Sequence, residues 1–234
     1  MIFLHQNNLF IYNMTGIQIA HGGGINKDGS WSYNDITTDK LQNTIDSGFK
    51  FIEIDIQYVN NNLEISHDQG TTGKMSLQDL IDISLSNNVT FILDIKGTKN
   101  DFRVLLDIIN NSTKNINGFD KFVIQIYNYD DIEFLYSSTS FRNIIIANWK
   151  CNPTFSEIHK IVEYCREKKI EILGTSLWSH FTYNYYIKYH HMYYSLYEKL
   201  EIPIFIHGEA ANDENIVKYY INNKFGVYSK CKFI

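Results

Sequence analysis

Proline is nearly absent: Pro153 and Pro203 are the two prolines in a chain of 234 residues. No Gly/Ser-rich stretch accompanies them, so no linker is marked and a single domain over residues 1–234 is expected. Cysteine is scarce as well. Cys151, Cys165 and Cys231 form no CxxC or CxH pair, which excludes the usual zinc spacings. Their odd number and wide separation read as reduced thiols in a reducing compartment. Positive charge is in deficit, with 21 Lys and Arg against 26 Asp and Glu and a formal charge of −5. That balance argues against a nucleic-acid partner and against a polybasic membrane anchor. An anionic ligand would need a local cation, because the overall field is negative. No apolar run approaches the roughly 20 residues that span a bilayer. The opening stretch MIFLHQNNLFIYNMTG is broken by His5, Gln6, Asn7, Asn8 and Asn13, and it lacks a basic start, a continuous apolar centre and a small-residue cleavage site. The expectation is a soluble, cytoplasmic protein with no membrane span.

Apolar residues are plentiful, at 44% of the chain, and they come in short β-branched runs. Eight such runs are predicted as strands: Gln18–His21, Phe51–Tyr58, Phe91–Lys96, Phe122–Tyr127, Asn143–Asn148, Glu171–Thr175, Pro203–His207 and Gly226–Ser229. Runs such as FVIQI and NIIIA are almost continuously apolar, as strands buried on both faces of a parallel sheet are. Helices are predicted between them at Thr38–Ser47, Leu77–Ser86, Phe102–Asn110, Ile132–Ser137, Phe155–Lys168, Thr182–Leu200 and Glu214–Asn222. A further extended arm, Leu63–Ser66, follows Asn60-Asn61-Asn62. Strand and helix alternating eight times predict a (β/α)₈ TIM barrel, for which about 250 residues is a usual length. A doubly wound open sheet is the alternative. The segment Thr182–Leu200 is rich in Tyr, which fits a half-buried outer helix or a surface for self-association or sugar stacking.

The chemistry lies where polar residues interrupt these runs. Glu53 and Asp55 are two apart in one strand, so both face the same way. Two like charges on an inner face are costly unless a cation joins them, and carboxylates suit a hard ion such as Mg²⁺ or Ca²⁺. Asp94 and Lys96 share a face at the end of the next strand. Asp94 is a candidate third ligand and Lys96 a candidate phosphate contact, with a plain ion pair as the alternative. His21 and His67 close two further extended segments and suit proton transfer. In a barrel the strand C-termini gather the reacting groups, and these residues fall there.

The runs Ile19-Ala20-His21-Gly22-Gly23, Ile52-Glu53-Ile54-Asp55, His67-Asp68 and Leu93-Asp94-Ile95-Lys96, in this order, resemble the glycerophosphodiester phosphodiesterase family of phospholipase-C-like barrels. Val123-Ile124-Gln125 with Tyr127-Asn128, and Phe225-Gly226-Val227-Tyr228-Ser229, extend the likeness to most of the chain. The resemblance implies metal-dependent hydrolysis of a small glycerol- or polyol-phosphate diester. It implies His21 and His67 as an acid/base pair, Glu53, Asp55 and Asp94 as metal ligands, and Lys96 at the phosphate. Where the family carries Arg after its first His, this chain has Gly22. The backbone N–H groups of Gly22, Gly23 and Gly24 are expected to form an anion nest instead, with help from Lys27. The Asp-Ile-Lys run is also similar to sphingomyelinase D-like phospholipases, which implies intramolecular attack and a cyclic phosphate as an alternative. A barrel that binds a phosphorylated ligand without turning it over is another. The short stretch between His67 and Asp94 implies an open site or one completed by a second copy in a homo-oligomer. His207, Glu209 and Gln125 are candidate substrate contacts, and Trp149 and Trp178 stand near strand ends. His5, His159, His180, His190 and His191 lack any supporting constellation.

Overall fold

The structure is a computed structural model, and it describes residues 17–31, 36–68, 75–116, 119–148, 154–178, 195–207, 213–222 and 225–230. Eight parallel strands close into a barrel: β1 (Gln18–Ala20), β2 (Phe51–Val59), β4 (Thr90–Ile95), β5 (Phe122–Ile126), β6 (Asn143–Asn148), β7 (Glu171–Trp178), β8 (Ile204–His207) and β9 (Gly226–Ser229). Closure comes from β1, which pairs with β9 on one side and β2 on the other. The arm is β3 (Asn62–Ile65), antiparallel to β2. Its tight turn places Asn60 and Asn61 at φ 49 and 64, the left-handed pair that a two-residue hairpin requires and that Asn tolerates.

Seven helices among the described residues surround the strands: α1 (Thr38–Asp46), α2 (Leu77–Asn87), α3 (Lys99–Thr113), α4 (Tyr129–Ser138), α5 (Phe155–Lys168), α6 (residues 195–200) and α7 (Glu214–Asn222). Most of the predicted Tyr-rich helix lies outside the described residues, as do Trp149, Glu209, Cys151 and Cys231. Helix starts are fixed by side-chain caps. Ser76 with Asp79, Thr98 with Asp101 and Thr154 with Glu157 each form a reciprocal capping box. The capped starts explain why α3 and α4 begin three residues before the predicted Phe102 and Ile132. Their first turns are polar and carry no apolar period, yet Thr98 and Asn128 hold the free N–H groups there.

Alternation along each strand divides the core in two. Ile52, Ile54 and Ile56 pack outward against the helices. Ile19, Ile92, Val123, Ile145, Leu173, Phe205 and Tyr228 point inward and form an apolar plug. Phe205 fills the plug because its neighbours on β7 and β9 are Gly174 and Gly226: a Cβ on either would lie 2.3 or 2.2 Å from its ring. The barrel is thus solid below, and whatever follows these residues on the inner faces must stand at the mouth.

Candidate active site

Two residues beyond Ile19, Ile92, Val123, Phe205 and Tyr228 on the same faces come His21, Asp94, Gln125, His207 and Lys230. Glu53 and Asp55 follow Phe51 in the same way on β2. One polar layer therefore caps the plug at the C-terminal ends of the strands. It is deeply buried: Glu53 is 1% exposed, Asp55 5% and Asp94 0%. The structure brings together all three carboxylates that the sequence singled out, and the β2–β4 register sets Asp55 directly beside Asp94.

Lys96 arbitrates between the carboxylates. Its Nζ lies 2.9 Å from Asp55 Oδ1 and also bonds Asp94 Oδ2. Burial disfavours the ammonium, but Asp94, Asp55 and Glu53 outweigh it and hold Lys96 protonated well past its usual range. The other oxygen of Asp94 accepts from the Tyr127 hydroxyl at 2.5 Å, and Tyr127 in turn accepts from Gln125 Nε2 at 2.7 Å. Gln125, expected at the substrate, also bonds Tyr127, and each oxygen of Asp94 has a hydrogen-bond partner.

Glu53 is not. Its Oε2 has no hydrogen-bond partner among the described residues, although His21 Nε2 stands 3.5 Å away. The Gly22 N–H donates to this carboxylate, so one amide of the expected anion nest faces Glu53. Burial, with the Asp55 and Asp94 charges behind it, holds the Glu53 carboxyl well above the usual carboxylate range. Burial also raises Asp55, against the opposing pull of Lys96. Below them the Tyr228 hydroxyl is buried and has no hydrogen-bond partner among the described residues.

His21 and His207 meet across the mouth. Their Nε2 atoms are 2.9 Å apart, so one ring donates and the other accepts. Burial, reinforced by Lys230 and Lys96, pushes His21 down to about 3. Burial and the His21, Lys96 and Lys230 charges lower His207 as well. Both rings are therefore neutral near pH 7. His207, expected at the substrate, stands in contact with His21. His67 follows the arm, with its Nδ1 2.8 Å from Asp68 Oδ1 and its side chain 46% exposed. Its charge is felt by His21 and Asp55, so it borders the same mouth. Gln57 Nε2 steadies this segment by donating to the Ser66 carbonyl at 2.9 Å.

The donor set suits a divalent cation. Three buried carboxylates face a single fixed ammonium from Lys96, a formal excess of two negative charges if all ionise, and Glu53 retains an unengaged oxygen. Among the described residues, the donors whose ligand atoms lie within 4.8 Å of one another are His21, Glu53 and His207, a set that shares only Glu53 with the expected carboxylate trio. Beside this cluster a cleft of about 340 Å³ opens between the β4–α3 and β5–α4 connections, lined by Lys96, Thr98, Phe102, Tyr127, Asn128 and Asp131. Lys230 was not singled out from the sequence, and Tyr127 and Tyr228 were named only within the family likeness, without a role. The alternation that marks Gln125 and Phe205 reaches them too, but a tyrosine among apolar residues reads as core.

No family model matches the chain, and no curated protein does. Solved structures do match in shape. A glycerophosphodiester phosphodiesterase from Parabacteroides distasonis superposes with a TM-score of 0.62 at 14% identity, covering 92% of both chains. A phosphodiesterase from Oleispira antarctica, in complex with the product sn-glycerol-3-phosphate, gives 0.64 at 13% identity, over 94% of this chain and 95% of that one. A cellulose synthase subunit Z from Clostridioides difficile gives 0.56 at 12% identity, over 91% of each chain. At these identities the likeness establishes a shared single-chain (β/α)₈ barrel, a fold that hosts more than one chemistry.

Proposed function

We propose that the barrel mouth hydrolyses a phosphodiester with the help of a divalent cation. The observation that carries this reading is the buried trio Glu53, Asp55 and Asp94 with one lysine among them, beside imidazoles held neutral. A binding barrel has little need of so costly an acidic cluster. The fold likeness to phosphodiesterases, one of them holding sn-glycerol-3-phosphate, supports a small glycerol- or polyol-phosphate ester as the substrate class. Glu53, Asp55 and Asp94 would hold the cation, Mg²⁺ or Ca²⁺, whose charge polarises a phosphoryl oxygen.

The chain's own residues supply the proton transfers. His21, neutral and lined up by its contact with His207, accepts the proton of the attacking water or hydroxyl. The anionic phosphate raises the proton affinity of His21 when substrate arrives, opposing the two lysines that depress it. His67, at the more exposed edge, returns a proton to the leaving alkoxide. Lys96 keeps Asp55 and Asp94 from repelling the phosphate, and the adjoining cleft has room for an alcohol group. His207, Gln125, Glu209 and the Gly22–Gly23 amides remain proposed substrate contacts. The test is Asp55→Ala: both cation binding and turnover of a glycerophosphodiester should vanish. Turnover at the unaltered rate would rule out this site.

A further inference from the structure

We infer that Lys230 is a second phosphate-binding cation, brought to the His21–His207 pair by the last barrel strand; this rests on the phosphodiester reading above. Strand β9 stands between β8, which carries His207, and β1, which carries His21. The register pairs Ile19 with Tyr228 and Ala20 with Ser229, and the His21 N–H donates to the Ser229 carbonyl at 3.0 Å. One further step sets Lys230 beside His21. Tyr228 belongs to the interior plug, so the alternation of β9, carried one residue past its end at Ser229, assigns Lys230 to the inner side.

Two layers then stack in order. The Tyr228 ring lies below, 4.9 Å from the His207 ring and 6.3 Å from the His21 ring. The two imidazoles meet edge to face above it, with ring centroids 4.0 Å apart. Lys230, half-buried, follows Ser229 at the mouth end of the same strand. Its charge is felt by both imidazoles, as is that of Lys96 from β4, so the two ammoniums approach the pair from different sides of the ring of strands. Lys96 is engaged by Asp55 and Asp94. A phosphate drawn to a mouth with three carboxylates needs a further positive group, and Lys230 supplies it where His21 can reach the reacting oxygen.

Inorganic phosphate is the probe, titrated into the full chain by phosphorus NMR, once with Mg²⁺ and once with chelator. Lys230→Gln should weaken phosphate binding about tenfold or more, as loss of a charged hydrogen bond does. Lys230→Arg should keep most of it. Lys50→Gln removes the same charge from the opposite, N-terminal end of the barrel and should leave binding unchanged. Lys230→Gln binding as tightly as the unaltered chain, or Lys50→Gln losing as much, overturns the inference, and so does absence of phosphate binding in both conditions. Lys230-dependent phosphate binding without any diester turnover would sink the hydrolase reading and leave this site standing. Turnover with phosphate binding indifferent to Lys230 would do the reverse.

Discussion

Glu53→Gln should make the cation-free protein more stable and the cation-loaded protein less so. Glu53 is 1% exposed, and its Oε2 has no hydrogen-bond partner among the described residues. Its carboxyl is held well above 4.5 by burial and by Asp55 and Asp94. The folded state therefore binds more protons than the unfolded state, and stability falls as pH rises from about 4.5 through the raised folded value. Gln keeps the shape and removes that loss. Replacing buried ionic groups by neutral ones of similar volume ranges from no change to about 4 kcal/mol of stabilisation, and a value near 2 raises Tm by about 4–8 °C in a chain of this size. A cation at about a hundred times its Kd adds about 2.7 kcal/mol to the unaltered protein, and the variant should gain less than half of that. Thermal melts at pH 5 and pH 8, with chelator and with Mg²⁺ or Ca²⁺, read both effects. The reasoning fails if the variant melts no higher than the unaltered protein in chelator at pH 8, or if the cation raises both equally.

Other consequences follow from the plug and the arm. Gly226→Ala puts a Cβ 2.2 Å from the Phe205 ring and should cost about 1–3 kcal/mol, with much of the lost Tm restored by adding Phe205→Leu; an unchanged melt would mean that the plug is looser than described. His67→Ala should leave cation binding, measured by calorimetry, intact and slow turnover by about 10²–10⁴-fold, whereas an unchanged rate would remove His67 from the acid/base pair.

Much of this architecture was legible in the chain because β-branched runs buried on both faces leave a strong local signature. FVIQI and NIIIA lie in β5 and β6 where they were expected, and the Asn60-Asn61 turn announced the arm. Strand alternation also placed Glu53 with Asp55 and Asp94 with Lys96 on inner faces. The outcome of their competition was not legible, because which carboxylates Lys96 engages depends on register between strands: Asp55 stands beside Asp94, and Lys96 joins both. Nor was the His21–His207 contact, made across 186 residues, since only barrel closure brings the strands at the two ends of the sequence to one mouth. Lys230 stayed hidden for the same reason.

The most direct test of the central claim is a panel of phosphodiesters, from glycerophosphodiesters to nucleotide-linked polyols and lysophospholipids, incubated with the unaltered chain in Mg²⁺, in Ca²⁺ and in chelator, with products followed by phosphorus NMR. Cation-dependent appearance of a phosphomonoester is the predicted result. A cyclic phosphate would replace water by a substrate hydroxyl as the attacking group. Tight cation binding with no turnover of any diester would contradict the account.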